Sequence, residues 1–319
     1  MNVLVTGANG FVGAAVCRRL LAQGHTVIGA VRRADAELLP GVQRRLVESL
    51  GPDTRWGEAL TGIDAVVHLA ARVHVMADTA ADPLTEFRHA NTEGTLHLAR
   101  ESARLGVQRL VFMSSIKVNG EATAPGQPFN ADDPAAPVDP YGQSKAEAET
   151  GLREITRATG LTIAILRPPL VYGPGVGGNM RTLLNAVRRG LPLPLGAIDN
   201  RRSLIHVDNL ADATACVLDR QAAGRCDTYL LADGEDVSTA DLIRRVARAM
   251  RRPARLIPVP VALLRLLGLG TGRSGAIDRL TGSLQVDASA IRDSLGWAPP
   301  VRLDDGLAQT VTWFTRRRQ

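Results

Sequence analysis

Asn2-Val3-Leu4-Val5-Thr6-Gly7-Ala8-Asn9-Gly10-Phe11-Val12-Gly13 runs a short apolar stretch straight into three glycines spaced three apart. The apolar run suits a strand buried on both faces of a parallel sheet. Val16, Leu20 and Leu21 then continue as one face of a helix. Strand, glycine turn and helix in this order place free backbone N–H groups and a positive dipole end where a phosphate can sit. Gly7, Gly10 and Gly13 permit the tight turn and the close approach of a pyrophosphate, with Asn9, Phe11 and Val12 beside them. The spacing is G-x-x-G-x-x-G rather than G-x-G-x-x-G. A strand–turn–helix that holds no ligand is the plainer reading of the same residues.

Outward from this stretch, apolar runs predict strands near 2–6, 26–31, 44–48, 64–69, 109–114 and 162–167. Helices fill the gaps, notably 83–105 and 140–159. That alternation predicts an α/β fold, a doubly wound parallel sheet of Rossmann type with helices on both faces. After Arg167-Pro168-Pro169 the texture becomes loop-rich, with a helix expected over 179–189. The expected organisation is a dinucleotide-binding domain over 1–170 and a smaller C-terminal substrate-binding lobe over 171–319. Residues 203–220 are expected to return a strand and a helix to the main sheet.

With 319 residues, 45% of them hydrophobic, the chain can bury a full core. Its formal net charge is +6, but the arginines are dispersed on helix faces (Arg244, Arg245, Arg248, Arg251, Arg252) or in the tail 316–318. With aromatics at 3% and no basic patch interleaved with them, nucleic-acid binding is not expected. A positive field suits an anionic cofactor and a nucleotide diphosphate. Cys17, Cys216 and Cys226 lack metal-ligand spacing and cannot all pair, so no metal site and a reducing, cytoplasmic setting are expected. With the first strand expected from residue 2, no signal peptide is expected. The longest apolar stretch, 259–269, is broken by Pro260 and Arg265 and is too short to span a bilayer. It reads as a surface or lid helix, or else as a peripheral membrane contact.

Tyr141-Gly142-Gln143-Ser144-Lys145 lies 26 residues beyond the pair Ser114-Ser115. Tyr and Lys four apart on a helix stand side by side. A neighbouring ammonium favours the phenolate and lowers a pKa of about 10 toward the range useful for proton transfer. Ser114 and Ser115 follow a buried-strand pattern, where ligands of open α/β sheets sit; N-capping of a helix is the plainer role for such a pair.

These pieces together resemble the extended short-chain dehydrogenase/reductase family, in its nucleotide-sugar epimerase/dehydratase branch. The matching segments are TGANGFVG (6–13), IDAVVHLAA (63–71), AN (90–91), VFMSS (111–115), YGQSK (141–145), LRPPLVYGPG (166–175), RSLIHVDNLADA (202–213) and LGW (295–297). The resemblance implies a catalytic Ser115, Tyr141 and Lys145. Ser115 is preferred to Ser114 because two residues and then Val118 follow it. Leu69, Ala70, Ala71 and Pro168 would join the glycine loop, Tyr141 and Lys145 around the cofactor. Ser115, Lys117, Tyr141, Arg202 and Arg279 would meet the substrate, with Arg273 as an alternative to Arg279. Leu170 departs from the family's R-x-x-N pattern. His68 and His206 read as structural, and Asn91 as a support of backbone near the site.

Cofactor choice turns on the end of the second strand. Val31 stands where an acid would bind the ribose hydroxyls, and Arg32 and Arg33 follow, as suits a 2′-phosphate. NADP(H) is therefore favoured over NAD(H). The stretch SSIKVNGE (114–121) resembles reductases of UDP-4-keto-6-deoxy-N-acetylhexosamines used in surface polysaccharides. The expected activity is C4-keto reduction of a UDP-linked sugar with Tyr141 as proton donor. An NAD-dependent UDP-hexose 4-epimerase is the alternative, and a non-catalytic dinucleotide sensor the third. The Asp-Glu pair of dehydratases is absent after Ser115. The family also implies a homodimer through helices 83–105 and 140–159.

Overall fold

In the computed structural model, which describes residues 1–73, 82–220, 222–270 and 274–316, the first part of the chain alternates as its apolar runs predict. It forms β1 (Asn2–Thr6), α1 (Phe11–Ala22), β2 (Thr26–Val31), β3 (Gln43–Leu46), α2 (Gly57–Leu60), β4 (Ala65–His68), α3 (Pro83–Phe87), α4 (Gly94–Arg104), β5 (Arg109–Met113), α5 (Pro140–Thr159) and β6 (Thr162–Arg167). The later elements are β7 (Leu170–Tyr172), α6 (Gly178–Arg188), β8 (Leu204–His206), α7 (Val207–Arg220), β9 (Cys226–Leu230), α8 (Thr239–Ala249), α9 (Val261–Gly270), α10 (Ser274–Thr281), α11 (Ser289–Leu295) and α12 (Leu303–Arg316).

Seven parallel strands lie in the order β3-β2-β1-β4-β5-β6-β9. The winding direction reverses between β1 and β4, and ligands of such sheets bind outside the carboxyl ends at that switch point. Apart from the exposed edge strand β3, the sheet is buried on both faces, as a parallel sheet requires. Val3, Val5, Val67 and Ala164 pack one face against α1, α7 and α11 through Val16, Leu20, Leu210 and Ile291. Leu4, Val66, Phe112 and Ile165 pack the other against α2, α4 and α5 through Leu60, Leu98 and Leu152. A third core gathers Tyr172, Met180, Leu184, Ile243, Val246, Leu307 and Phe314 beside the sheet.

The structure corrects two expectations about organisation. The strand within 203–220 does not join the main sheet: β8 pairs with β7 in a separate two-stranded sheet. Pro168 and Pro169 explain the departure, since neither can donate a ladder hydrogen bond and the chain leaves the main sheet after Arg167. Only α7 returns, packing beside α1. The seventh strand is β9, which covers the edge that β6 would otherwise expose. β9 and α11 thus pack with the main sheet. The helix expected over 83–105 is also composite: between α3 and α4, residues Arg88–Glu93 wind as a π-helix.

α5 begins at Asp139, whose carboxylate accepts from the Gly142 N–H at 2.6 Å, with Pro140 at the first helical position. It ends at Gly160, with φ 76°. A Cβ there would meet nothing within 4 Å, so only the backbone conformation demands glycine. Gly160→Ala is expected to cost about 1–2 kcal/mol, read as a lower urea midpoint with an unchanged slope.

Candidate active site

The glycine loop is shaped by close backbone approaches. Gly7 has φ +68°, and a Cβ on it would lie 3.0 Å from the Ala70 backbone nitrogen. A Cβ on Gly13 would collide with the Gly7 carbonyl oxygen. Gly10 begins α1 with no side-chain cap, so the first N–H groups of the helix are open to an anion. Asn9 and Gly10 are exposed, and Phe11 and Val12 half-buried. This cradle fits a dinucleotide pyrophosphate.

The loop after β4 is tied to the same place. Thr6 Oγ1 accepts from the N–H groups of Leu69 (3.1 Å) and Ala70 (3.0 Å). It also bonds His68 Nδ1 at 2.8 Å, and His68 Nε2 meets Thr95 Oγ1 at 3.0 Å. Burial, seconded by the Lys145 charge, pushes His68 down to about 3, so this imidazole is neutral and structural. Ala71 continues the loop, and Asn91 closes it: its amide accepts from Arg72 N–H (2.8 Å) and donates to Arg72 O (3.0 Å) and Ser144 Oγ (3.1 Å). Ser144 Oγ in turn donates to Tyr141 O at 2.8 Å.

The two serines separate cleanly. Ser114 is buried and donates to Glu149 Oε1 at 2.6 Å. Glu149 also takes two hydrogen bonds from Arg167, at 3.0 and 2.6 Å, while Arg167 reaches Asn119 Oδ1 at 2.9 Å. Ser115 instead hydrogen-bonds the Tyr141 side chain and caps the short turn Ile116–Val118. Ser115 thus fills the capping role and stands beside the Tyr141 side chain. Pro168 lies against this turn, its carbonyl accepting from Ile116 N–H at 3.0 Å.

Lys145 is buried and donates to Met113 O at 2.9 Å. Its ammonium lies 4.5 Å from the Phe112 ring centre and 5.9 Å from that of Tyr141. The spacing argument places these groups together, but their protonation runs against it. Burial pushes Tyr141 up to about 12, the Asp139 charge adds to this, and the Ser115 bond opposes it. Burial likewise pushes Lys145 down to about 7, with Glu149 opposing. Desolvation outweighs the mutual attraction expected of the pair.

Lys117 forms ion pairs with Asp139 and, at 3.0 Å, with Glu121. It therefore ties the Ser115 turn to the cap of α5 rather than standing open to a substrate anion. Arg202 donates to the carbonyls of Arg279 (2.9 Å) and Gly282 (3.0 Å), with Glu121 as its charged neighbour. Arg202 and the exposed Arg279 are thus adjacent; Arg273 lies outside the described residues. Leu170 is 41% exposed. Arg32 and Arg33 are exposed, and Arg33 grips Asp35 through two hydrogen bonds of 2.9 and 2.6 Å. Asp139, Glu121 and Glu149 escaped the sequence reading. Asp139-Pro140 carried a usable cap signal, and Glu149 stands one helical turn beyond Lys145.

Residues 3–232 match the model of the NAD dependent epimerase/dehydratase family. The chain belongs to that family. Within it, a UDP-glucose 4-epimerase of Vibrio cholerae is 42% identical over 98% of this chain and 95% of its own length. A dTDP-glucose 4,6-dehydratase of Mycolicibacterium smegmatis is 31% identical over 98% and 93%. The structure of a Thermus thermophilus UDP-glucose 4-epimerase with NAD superposes with a TM-score of 0.79 at 25% identity, covering 99% of both chains. This family member is thus a nucleotide-sugar enzyme of the extended short-chain dehydrogenase/reductase type, built to bind a nicotinamide dinucleotide. Among the described residues no helix is long and apolar enough to cross a membrane.

Ser115→Ala is expected to lower kcat on the order of 10²-fold with an unchanged thermal midpoint. Ser114→Ala should instead cost about 1–3 kcal/mol of stability, because the buried Glu149 loses a donor. Lys145 gives a pH signature. Between about 7 and its ordinary 10.5, the unfolded chain holds the proton and the folded protein does not, so stability rises with pH. Below about 7 both states are protonated and the contribution is flat. The difference in unfolding free energy between wild type and Lys145→Met should rise across that window and level off on either side.

Proposed function

We propose that this enzyme interconverts the C4 configuration of a UDP-hexose with NAD as cofactor. The observation that carries the reading is the 42% identity to the Vibrio cholerae UDP-glucose 4-epimerase over nearly the whole of both chains. Gly7, Gly10 and Gly13 would hold the pyrophosphate at the start of α1, with Asn9, Phe11, Val12, Leu69, Ala70, Ala71 and Pro168 lining the dinucleotide. When bound, the nicotinamide accepts and returns a hydride and, in its oxidised form, adds a positive charge to the site.

Tyr141 takes the proton of the sugar 4-hydroxyl and gives it back. Ser115, already hydrogen-bonded to that phenol, steadies the same oxygen. Lys145 holds the cofactor ribose. Arg202 and Arg279 meet the substrate diphosphate. Lys117 acts through Asp139 and Glu121 rather than on the sugar. The preference for NAD finds support in Arg33, whose fork is filled by Asp35.

A second reading keeps a specific observation of its own. Val31 and the exposed Arg32 at the end of β2 suit NADPH, as a C4-ketoreductase of UDP-linked 6-deoxy sugars would use. The helices α3–α4 and α5 lie side by side, joined by Arg88–Glu147 at 2.6 Å, and are the proposed homodimer face. Three unpaired cysteines fit a reducing cytoplasm.

The test is UDP-galactose presented to the purified enzyme without added reductant. UDP-glucose formation, with NAD released on denaturation, is expected. NADPH consumption with a UDP-4-keto-6-deoxy sugar, and no turnover of UDP-galactose, would transfer the assignment to the reductase. Tyr141→Phe should nearly abolish whichever activity is found while leaving dinucleotide binding intact.

A further inference from the structure

α9 turns leucines outward. Leu263, Leu266 and Leu269 are 46%, 65% and 71% exposed, while Leu264 packs inward at 7%. A spacing of three keeps the outward leucines along one stripe. Ile257 just before the helix and Leu280 on the adjoining α10 are exposed as well. An exposed apolar stripe of this kind marks an interaction surface.

The charge around it is one-sided. Residues 250–286 contain six arginines and a single carboxylate, Asp278. Arg265, on α9 itself, lies 3.7 Å from Asp278, both more than half exposed, and Arg255 and Arg279 are exposed too.

We propose that α9 seats this enzyme on an anionic lipid surface, with its leucine stripe in the acyl boundary and the flanking arginines at the headgroup phosphates. A narrow apolar stripe bordered by arginines is what an interfacial helix requires. A second copy of the chain is a poorer occupant, since a standard protein interface covers about 800 Å² per partner and this stripe is only a few side chains wide. Ten residues of helix span about 15 Å, half a bilayer core, so α9 lies on a membrane and does not cross it. The Arg279 carbonyl on α10 accepts from Arg202, which places α10, packed on α9, against the proposed diphosphate site. The proposal is independent of whether the reaction is epimerisation or reduction.

The experiment is co-sedimentation of the full chain with vesicles of phosphatidylcholine, with and without phosphatidylglycerol. Binding is expected at least about tenfold stronger on the anionic vesicles and weaker as salt is raised. The triple variant Leu263→Ser/Leu266→Ser/Leu269→Ser should lose at least about tenfold in binding, with thermal midpoint and turnover of soluble substrate unchanged. Arg265→Glu, which leaves the leucines in place, should also weaken retention on anionic vesicles. Equal or absent retention on the two vesicle types, or wild-type retention of the triple variant, overturns the proposal. So does a dimer in light scattering that the triple variant converts to monomer without any vesicle binding.

Discussion

Glu149 and Arg167 form an ion pair with only 4–5% of either side chain exposed, and the arrangement of Ser115, Tyr141 and Lys145 depends on it. Stripping water from two charges is costly, and only full hydrogen bonding offsets that cost. Here it is met: Arg167 gives two bonds to Glu149 and one to Asn119, and Glu149 takes a further bond from Ser114. The pair therefore joins α5, the end of β6 and the loop after β5 at one buried point. Glu149 follows Lys145 by one turn, so this anchor sets where along its axis α5 presents Lys145 and Tyr141. Asp139 fixes the other end by capping the helix and binding Lys117, two residues past Ser115. Ser115 and Tyr141 are thus held from both sides by charge pairs.

The site so fixed carries little charge of its own. His68 is neutral, Tyr141 keeps its proton, and Lys145 titrates near 7. Burial drives all three in the same sense, toward the uncharged form. On the proposed function, an oxidised nicotinamide and a sugar diphosphate would bring charge into a region whose own groups lean toward neutrality.

Much of this was legible in the sequence. The glycine loop and five of the strands stand out because a buried parallel strand must be apolar almost throughout; β3, Gln43-Arg44-Arg45-Leu46 at the exposed edge, is the exception. β9 was missed because Cys226-Asp227-Thr228-Tyr229-Leu230 mixes polar and apolar residues, as befits an edge strand whose outer side is half exposed. β8 was seen as a strand but given the wrong partner, since pairing is decided by where the chain travels after two prolines. Tyr141 and Lys145 were readable as neighbours from spacing alone. Their protonation was not, because desolvation depends on Phe112 and the sheet beneath, which spacing does not reveal. Arg32-Arg33 suggested a phosphate site, but Asp35, two residues on, fills the Arg33 fork. A single side-chain rotation decides such a matter, and no pattern of residue types encodes it.

The π-helical turn at Arg88–Glu93 bears on where Asn91 stands. A π turn holds more residues than an α turn, so a surplus residue is taken up between α3 and α4 without rotating one against the other. That wide turn carries Asn91 to the loop after β4, which its side chain closes. Just before it, Phe87 meets the Tyr141 ring edge-on at 6.1 Å with the Arg72 guanidinium 5.5 Å above it. The number of residues in this turn, as much as their chemistry, is therefore what brings Asn91 to its carbonyl.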